Sequence, residues 1–532
     1  MKKLRIIALL LAIIMAVGIM AACAQDEEIP EPVDTPAPAD DTATTPGANV
    51  TAPEAQAATL TVVVASFPQS LDPHNQLDMY SAMIGTQIFD TLFVLDPETM
   101  VVRPNLVVHY SRPDMQTLAI TLRDDVRFHN GDSLTARDVS FSLNRAINSP
   151  HVGFIVDMIE EIYVHSDLDI TIRTSEPFAP IINHLTHFGT SIISESAYHV
   201  AGGNPDLHPV GTGAFMYVER VDYERVEMRR FDNFWGQLPD FTHIDWRIIP
   251  NAANRLAEVE DGRADIAFEV APGDIGRADA SPNVVLHRVP GLGVHYLGLN
   301  LQHDLFNDVR VRQAIAYAID LNEITITAYG DASRPARGSL ADAVWGAHNV
   351  AQIPFNLQRA RELLAETDFP AGFSTTLWYD FSNAQHSLVA QTIQAQLRNV
   401  GIEMAIQSFD REEYLERLRQ GEHQMFLMFW NTVTGDADLA LYETQSTWGW
   451  GGGNLAFSGT AEIDSLLRQS RQIEDAAQRL EVYRQVQYLV RDHAARIYFQ
   501  QSVELHASSP NVSGFVVSPT GLHDLSTVTV DG

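Results

Sequence analysis

Strand and helix patterns alternate along this chain from Thr59 onwards, and the alternation limits the possible folds more than any other feature. Residues 59–65 are rich in β-branched side chains and predict a buried strand. Residues 135–147 predict an amphipathic helix that begins with a threonine cap. Further strands are predicted at residues 118–122 and 402–406, and further helices at 309–319, 391–400 and 476–490. Because the two patterns mix irregularly, the sequence predicts an α/β protein.

Length and charge favour a folded protein of several lobes and argue against a nucleic-acid-binding protein. A chain of 532 residues is too long for one hydrophobic core, so two or three lobes are expected. The hydrophobic fraction of 45% is that of a folded protein. A formal net charge of −33 argues against nucleic-acid binding, which needs clustered lysine and arginine.

The N-terminus predicts export and attachment to a membrane. Lys2, Lys3 and Arg5 precede an apolar run at residues 6–22, which predicts a secretory signal peptide over residues 1–22. A transmembrane anchor is the alternative, but the run is shorter than the roughly 20 residues that a spanning helix needs. Residues 20–23 resemble a bacterial lipobox, so Cys23 is predicted to carry a lipid that holds the protein to a membrane without spanning it. Cys23 is the only cysteine, which excludes an intrachain disulfide.

Residues 24–58 differ in composition from the rest of the chain. Prolines alternate there with alanine, threonine and acidic residues, and the segment holds no lysine, arginine or aromatic residue. Such a segment cannot bury enough apolar surface to fold. We therefore expect residues 23–58 to form a disordered tether between the lipid and the folded body.

Sequence motifs of enzymes and metal sites are missing. The chain has no Gly-x-Ser-x-Gly elbow, no His-Glu-x-x-His and no Gly-x-x-x-x-Gly-Lys loop. His184 and His187 are close enough to share a metal on a helix, but a third ligand is not evident nearby. The sequence therefore predicts no catalytic residue, no cofactor and no metal site, and it favours a binding protein.

Several strings, taken in order over residues 59–525, resemble one family, the bacterial extracellular solute-binding proteins of the peptide and nickel type (family 5). They are LRDDVRFHNGDSLTARDV at residues 122–139, PVGTGAF at 209–215, NFWGQLP at 233–239, GRADI at 262–266, YLGLN at 296–300, DVRVRQAIAYAID at 308–320 and residues 401–402 and 414–430.

The resemblance implies a fold of two α/β lobes hinged around a cleft, with an extra domain inserted near the N-terminus. Its boundaries would be residues 59–90, 207–296 and 496–532 for lobe I, residues 91–206 for the inserted domain, and residues 297–495 for lobe III.

The resemblance also implies a function. A monomeric receptor would capture a small solute, most often an oligopeptide, outside the membrane by hinge closure. It would deliver this solute to the permease and ATPase subunits of an ATP-driven importer. Nickel complexes and oligosaccharides are the alternative solutes within the family. A surface sensor and an extracellular enzyme are the alternatives outside it.

The ligand positions depart from the dipeptide-binding branch of the family. That branch holds the peptide amine with an aspartate three residues after the tryptophan that matches Trp430, and here the position is Val433. It holds the peptide carboxylate with an arginine a few residues after a Leu-Trp pair, and here residues 379–386, which follow Leu377 and Trp378, hold no arginine. Unpaired buried charges would cost several kcal/mol, so we expect a longer peptide or a ligand that is not a peptide.

Nine residues are candidate ligand contacts, and each has a structural alternative. Trp430 and Asn431 end a predicted strand and either face the ligand or belong to the core. Asp436 and Asp438 either meet a cationic group or form the turn at Gly435. The remaining candidates are Tyr296 and Asn300 near the lobe crossing, Arg337 in a loop that also holds Arg334, and His74 and Trp448.

Overall fold

The computed structural model describes residues 58–531. The predicted signal peptide, Cys23 and nearly all of the predicted tether therefore lie outside the described residues. The strands are β1 (Thr59–Val64), β2 (Phe93–Leu95), β3 (Val102–Pro104), β4 (Val107–Asp114), β5 (Thr117–Leu122), β6 (Ile159–Val164), β7 (Asp169–Thr174), β8 (Phe215–Val221), β9 (Arg225–Arg230), β10 (His243–Ile248), β11 (Ile266–Ala267), β12 (Val285–Leu299), β13 (Ser374–Asp380), β14 (Glu403–Phe409), β15 (Met425–Asn431), β16 (Arg496–Ser508), β17 (Val512–Ser513) and β18 (Thr529–Val530).

Helices alternate with these strands, which confirms the predicted α/β class. They are α1 (Met79–Gly85), α2 (Ala136–Ile147), α3 (Gly153–Val156), α4 (Ile181–His184), α5 (Glu195–Val200), α6 (Ala252–Glu260), α7 (Ile275–Ala280), α8 (Val309–Ala318), α9 (Leu321–Tyr329), α10 (Leu357–Ala365), α11 (Ala384–Arg398), α12 (Arg411–Arg419), α13 (Ala437–Gln445), α14 (Ala461–Arg471) and α15 (Ala476–His493). In residues 58–531 no helix is both long enough and apolar enough to cross a membrane.

The predicted elements lie close to the observed ones. Helix α2 begins after Thr135, whose capping box with Asp138 satisfies the first backbone N–H groups. Helix α11 starts seven residues before the predicted segment 391–400 and ends at Arg398. Gly401 follows it with a φ of +81°, a conformation that glycine adopts without steric cost.

Ten strands form one sheet in the order β14-β13-β15-β12-β16-β11-β1-β10-β9-β8. Strands β12 and β16 are the longest, and they pair antiparallel in the middle of the sheet. On one side β16 pairs with β11, and on the other side β12 pairs with β15. We call β12 and β16 the hinge strands, because they connect the strands of lobe I to those of lobe III.

Each lobe has its own parallel strands. In lobe I, β1 pairs parallel with β10 and with β11. In lobe III, β13 pairs parallel with β14 and with β15. A separate antiparallel sheet of order β4-β5-β7-β6 lies in the proposed inserted domain. The domain boundaries stay a prediction, and their names are used below for the corresponding residue ranges.

The hinge strands change register where they pass from one lobe to the other. Pro290 and Val294 are four residues apart on β12, but the residues that pair with them on β16, Val503 and Gln501, are only two residues apart. Such a bulge bends and twists a strand pair. We call this segment the crossing.

Glycine lets other side chains lie directly against the crossing. A Cβ atom on Gly293 would lie 2.2 Å from ring atoms of Phe429, and one on Gly291 would lie 2.2 Å from Ser502 Oγ. The side chains of Phe429 and Ser502 therefore occupy the space that larger residues on β12 would need.

Replacing Gly293 by alanine should disturb the crossing. The new methyl group would push the Phe429 ring away from β12, and overpacking of this kind costs about 1–3 kcal/mol of stability. Thermal unfolding measures the effect. The control is Gly276→Ala in α7, where a Cβ atom meets nothing within 4 Å. Equal melting temperatures for the two variants would contradict the prediction.

Candidate functional site

Glu269 lies at the carboxyl-terminal edge of the parallel strands of lobe I, two residues after β11. Ligands of open α/β sheets bind at such edges. Its backbone has a φ of +58°, which is uncommon for a residue with a side chain. Tyr80 Oη donates a hydrogen bond of 2.8 Å to Glu269 Oε2. The side chain of Glu269 is 42% exposed, and burial of the remainder raises the pKa of its carboxyl. Glu269 therefore opens into a cleft.

Glu504 lies beside the crossing on β16, opposite Val289. It forms a cluster with His506 and His523, and one ligand atom from each of these residues lies within 4.8 Å of the others. Burial raises the pKa of Glu504 to about 7 and lowers the pKa of His506 to about 3. Both imidazoles are therefore neutral at neutral pH, since burial also lowers the pKa of His523.

The hydrogen bonds of the two histidines decide what this cluster can bind. The backbone N–H of Glu269 donates to His506 Nδ1 at 3.2 Å, and that of Ser518 donates to His523 Nδ1 at 3.1 Å. Each Nδ1 is therefore an acceptor, so the ring proton sits on Nε2. A protonated Nε2 cannot ligate a metal ion. The cluster thus offers two N–H donors and a carboxylate, not a three-ligand metal site.

A second group of polar atoms lies on the lobe III side of the crossing. The ring of His295 lies 4.6 Å from Phe429, 5.5 Å from Tyr329 and 5.7 Å from His386. His386 is in the first turn of α11, at the carboxyl-terminal end of β13. Burial lowers the pKa of His386 to about 3, so its ring is neutral.

Polar atoms in this group have no hydrogen-bond partner among the described residues. They are His295 Nδ1, Tyr329 Oη and both ring nitrogens of His386, and all of them are buried. Buried polar groups without partners are uncommon in native proteins. A ligand or ordered water that enters the cleft would satisfy them.

Trp430 and Asn431, both predicted contacts, lie at the crossing. Trp430 pairs with Val294 and Asn431 with Gly293 across β12 and β15. Both side chains are half-buried, and Trp430 Nε1 and Asn431 Oδ1 lack partners among the described residues. Asn431 Nδ2 donates a hydrogen bond of 3.0 Å to the carbonyl of Thr520, which belongs to lobe I.

Asp436 and Asp438 are buried within the protein and have arginine partners. Asp436 caps α13 by accepting the N–H of Asp438 at 2.8 Å, and Arg479 Nη2 lies 2.7 Å from it. Asp438 accepts from Arg471 at 2.9–3.1 Å. Because both carboxylates are paired with arginines, neither is free to bind a cationic ligand. The structural alternative therefore accounts for Asp436 and Asp438 better than ligand contact does.

Asp438 also connects lobe III to the inserted domain. His184 Nε2 lies 3.2 Å from Asp438 Oδ2, and the backbone N–H of Ala179 donates to the carbonyl of Arg471 at 2.7 Å. Asn183 Nδ2 donates to the carbonyl of Thr434 at 3.1 Å. His184 is therefore a structural residue, which agrees with the sequence interpretation.

The other predicted contacts have different surroundings. Tyr296 is fully buried on the face of β12 opposite His295, with the guanidinium of Arg496 5.5 Å from its ring centroid. Asn300 Nδ2 donates to the carbonyls of Gly421 and His423. These two residues stabilise the strand and its end, which was the structural alternative for both.

Three more candidates lie on other parts of the surface or core. His74 is buried, and its Nε2 lies 2.9 Å from the carbonyl of Ser191 in the inserted domain. Trp448 is exposed and stacks on Tyr442 at 5.2 Å. Arg337 is exposed in the loop after α9.

Five further polar residues could not be predicted from the sequence, namely Glu269, Glu504, His295, Tyr329 and His386. No local motif marks these residues, because they come from five separate segments. The sheet order places Glu504 and His295 on the two hinge strands beside the crossing.

Asp438→Asn should destabilise the contact between the inserted domain and lobe III. It would leave Arg471 buried without its carboxylate, a change that costs about 3–5 kcal/mol. Burial alone would raise the pKa of Asp438, but Arg471 and His184 hold it well below its usual value. The stabilisation is therefore complete above the unfolded pKa and is lost as pH falls through the depressed folded pKa.

Chemical unfolding of Asp438→Asn at neutral pH tests this prediction. The control is Asp279→Asn, which removes an ion pair to Arg288 whose two side chains are 53% and 42% exposed. That loss should cost at most about 1 kcal/mol. If both variants unfold alike, the buried contact does not have the stated role.

Comparison with known proteins identifies the family. The model of "Bacterial extracellular solute-binding proteins, family 5 Middle" matches residues 101–452, which is more than half of the chain. The glutathione-binding protein GsiB of Salmonella typhi is 29% identical over 479 residues, covering 88% of this chain and 93% of that protein. GsiB of Escherichia coli O1:K1 / APEC is 28% identical over 470 residues, covering 86% and 92%.

Solved structures share the fold. The periplasmic binding protein DppA of Helicobacter pylori, in complex with the peptide STSA, superposes with a TM-score of 0.81 at 23% identity and covers 89% of this chain and 98% of that one. HbpA2 of Haemophilus parasuis superposes with a TM-score of 0.76 at 25% identity and covers 89% and 100%. The expected two-lobed fold is therefore confirmed, and the chain belongs to family 5 of the bacterial extracellular solute-binding proteins.

Proposed function

We propose that this protein captures a short peptide or a peptide-like solute outside the cytoplasmic membrane and delivers it to an ATP-binding-cassette importer. The observation that supports this function most directly is the arrangement at the crossing. Polar groups from lobe I and from lobe III flank the same segment of the hinge strands, and several lack partners among the described residues. A solute placed there would contact both lobes.

Hinge closure provides the mechanism. A solute that touches both lobes gains its full set of contacts only when they are close together. Binding then shifts the population towards the closed form by as much as the solute's affinity differs between the two forms. The importer subunits, a permease and an ATPase, would recognise the closed form.

The polar groups on the lobe I side and the lobe III side of the crossing could together bind a zwitterion. Lobe I contributes the carboxylates Glu269 and Glu504. Lobe III contributes the neutral groups Tyr329 and His386, and His295 lies next to them on β12; all three can hydrogen-bond to a carboxylate or an amide. The relatives named glutathione-binding proteins, and a structural neighbour in complex with the peptide STSA, support a peptide ligand of this kind.

The predicted N-terminal segments complete the proposal. A signal peptide at residues 1–22 would direct export, Cys23 would carry the lipid, and residues 23–58 would link the lipid to the body. In this arrangement the receptor stays at the membrane surface beside its importer.

Cys23→Ser should release the protein from the membrane, because a serine cannot carry the thioether-linked lipid. The measurement is fractionation of cells that produce the full chain, together with labelling by radioactive palmitate. We expect the wild type in the labelled membrane fraction and the variant unlabelled outside it. Membrane retention of an unlabelled wild type would contradict the lipid anchor.

Ligand binding is tested with the purified protein. We expect native mass spectrometry to detect a bound peptide-like solute, and the melting temperature to rise with the logarithm of added reduced glutathione or short-peptide concentration. A ligand at 100 times its Kd stabilises a protein by about 2.7 kcal/mol.

Tyr329→Phe should weaken this binding by roughly tenfold, because it removes one hydroxyl group that lacks a partner among the described residues. The control is Trp448→Ala, whose side chain is exposed and stacked on Tyr442. If no peptide changes the melting temperature, the ligand class is wrong. Chemical conversion of the added peptide would instead indicate an enzyme.

A further inference from the structure

We infer that Glu269 and Glu504 bind a protonated amine of the solute, so that the amine site lies on lobe I. This inference rests on the proposed function, because it assigns one end of a peptide-like solute. It names residues that the sequence motifs do not mark.

The two carboxylates occupy a suitable place. Glu269 lies at the carboxyl-terminal edge of β1 and β11, and Glu504 lies on β16 next to the crossing. Glu504 Oε1 would lie 2.8 Å from a Cβ atom on Gly291, so its carboxylate lies against the glycine segment of the crossing. Burial raises the pKa of Glu269, and the nearby charge of Glu504 raises it further.

Arg255 is the cationic residue next to Glu269, and no arginine or lysine among the described residues lies within ion-pair distance of Glu504. Arg255 Nη2 lies 3.7 Å from Glu269 Oε2. The guanidinium of Arg255 already donates to four backbone carbonyls, which are those of Ile249, Pro250, Phe268 and Glu269. The basic group next to Glu504 is His506, at 3.5 Å, and its ring is neutral.

Two buried imidazoles, those of His506 and His523, lie beside Glu504. His506 and His523 are each 1% exposed, and the Nε2 atom of each has no hydrogen-bond partner among the described residues. Because each Nδ1 accepts a backbone N–H, each Nε2 carries a proton. These N–H groups can hold Glu504 in position while its remaining lone pairs accept from a ligand.

An ammonium group fits this arrangement better than the alternatives. Arg255 lies 3.7 Å from Glu269, and no arginine or lysine among the described residues pairs with Glu504, so the protein by itself does not balance both carboxylates. A bound cation would. A metal ion would need deprotonated Nε2 atoms and would break both backbone hydrogen bonds. A primary ammonium has three N–H donors for the two carboxylates.

In lobe III, the positions after Trp430 that could have held the amine do not form a site for it. Val433 is apolar, and Asp436 and Asp438 are buried against Arg479 and Arg471. The carboxylates of lobe I would therefore bind the amine that an aspartate after Trp430 binds in the dipeptide-binding branch.

The test is a binding experiment on the full mature protein with Glu269→Gln and Glu504→Gln, which keep the shape and remove the charge. The probes are reduced glutathione, the peptide Ser-Thr-Ser-Ala and L-alaninamide, each compared with its des-amino analogue, which lacks only the amine. Calorimetry gives the dissociation constants. Nickel chloride is a fourth probe.

We expect the wild type to bind a free-amine probe at least about 30-fold more tightly than its des-amino analogue. Either substitution should remove this preference and leave the affinity for the des-amino analogue nearly unchanged. Glu224→Gln, at an exposed turn between β8 and β9, should keep the preference. Unchanged affinity for the des-amino probe also shows that a variant is folded.

The outcomes separate this inference from the proposed function. If peptides bind but the glutamine variants keep the amine preference, the inference is overturned and the function stands. If only L-alaninamide binds, and the variants lose it, the amine site is supported and the peptide ligand is overturned. Nickel binding that depends on Glu504, with no amine preference, would indicate a metal site and overturn the inference. If no probe binds, both are overturned.

Discussion

The antiparallel pairing of β12 and β16 is the interaction on which the rest of the structure depends. These two strands connect the strands of lobe I to those of lobe III, and they are the fourth and fifth strands of a ten-stranded sheet. Leu297 and Leu299 pack on one face of the pair, and Tyr296 and Tyr498 pack on the other. Strand β16 nevertheless carries polar residues along its length, among them Gln501, Ser502 and Glu504 at and beside the crossing.

Glycine residues at the crossing leave room for side chains from the neighbouring strands. At Gly291 and Gly293 the side chains of Ser502, Glu504 and Phe429 lie where a Cβ atom would otherwise be. The backbone of β12 at these glycines therefore lies directly against side chains of β15 and β16.

Buried carboxylates in this protein have two different roles that depend on their neighbours. Asp436 and Asp438 are next to arginines, and their charges stabilise α13 and the contact with the inserted domain. Glu504 lies near neutral groups and Glu269 lies 3.7 Å from Arg255, and burial raises the pKa values of both carboxyls. The first pair is a structural feature, because its charges are compensated within the chain. The second pair retains the capacity to bind a cation, because no arginine or lysine among the described residues pairs with Glu504.

Local patterns in the sequence were enough to predict the α/β class, the family and most element positions. Each of these depends on local patterns, such as the β-branched run before Ala65, the cap at Thr135 and the stop at Gly401. It also drew attention to Trp430, which does lie at the crossing. Only the tertiary structure decided which polar residues meet there. Glu269, Glu504 and His386 come from distant segments, and the surroundings of a carboxylate, not its place in the sequence, determine whether its charge is already paired.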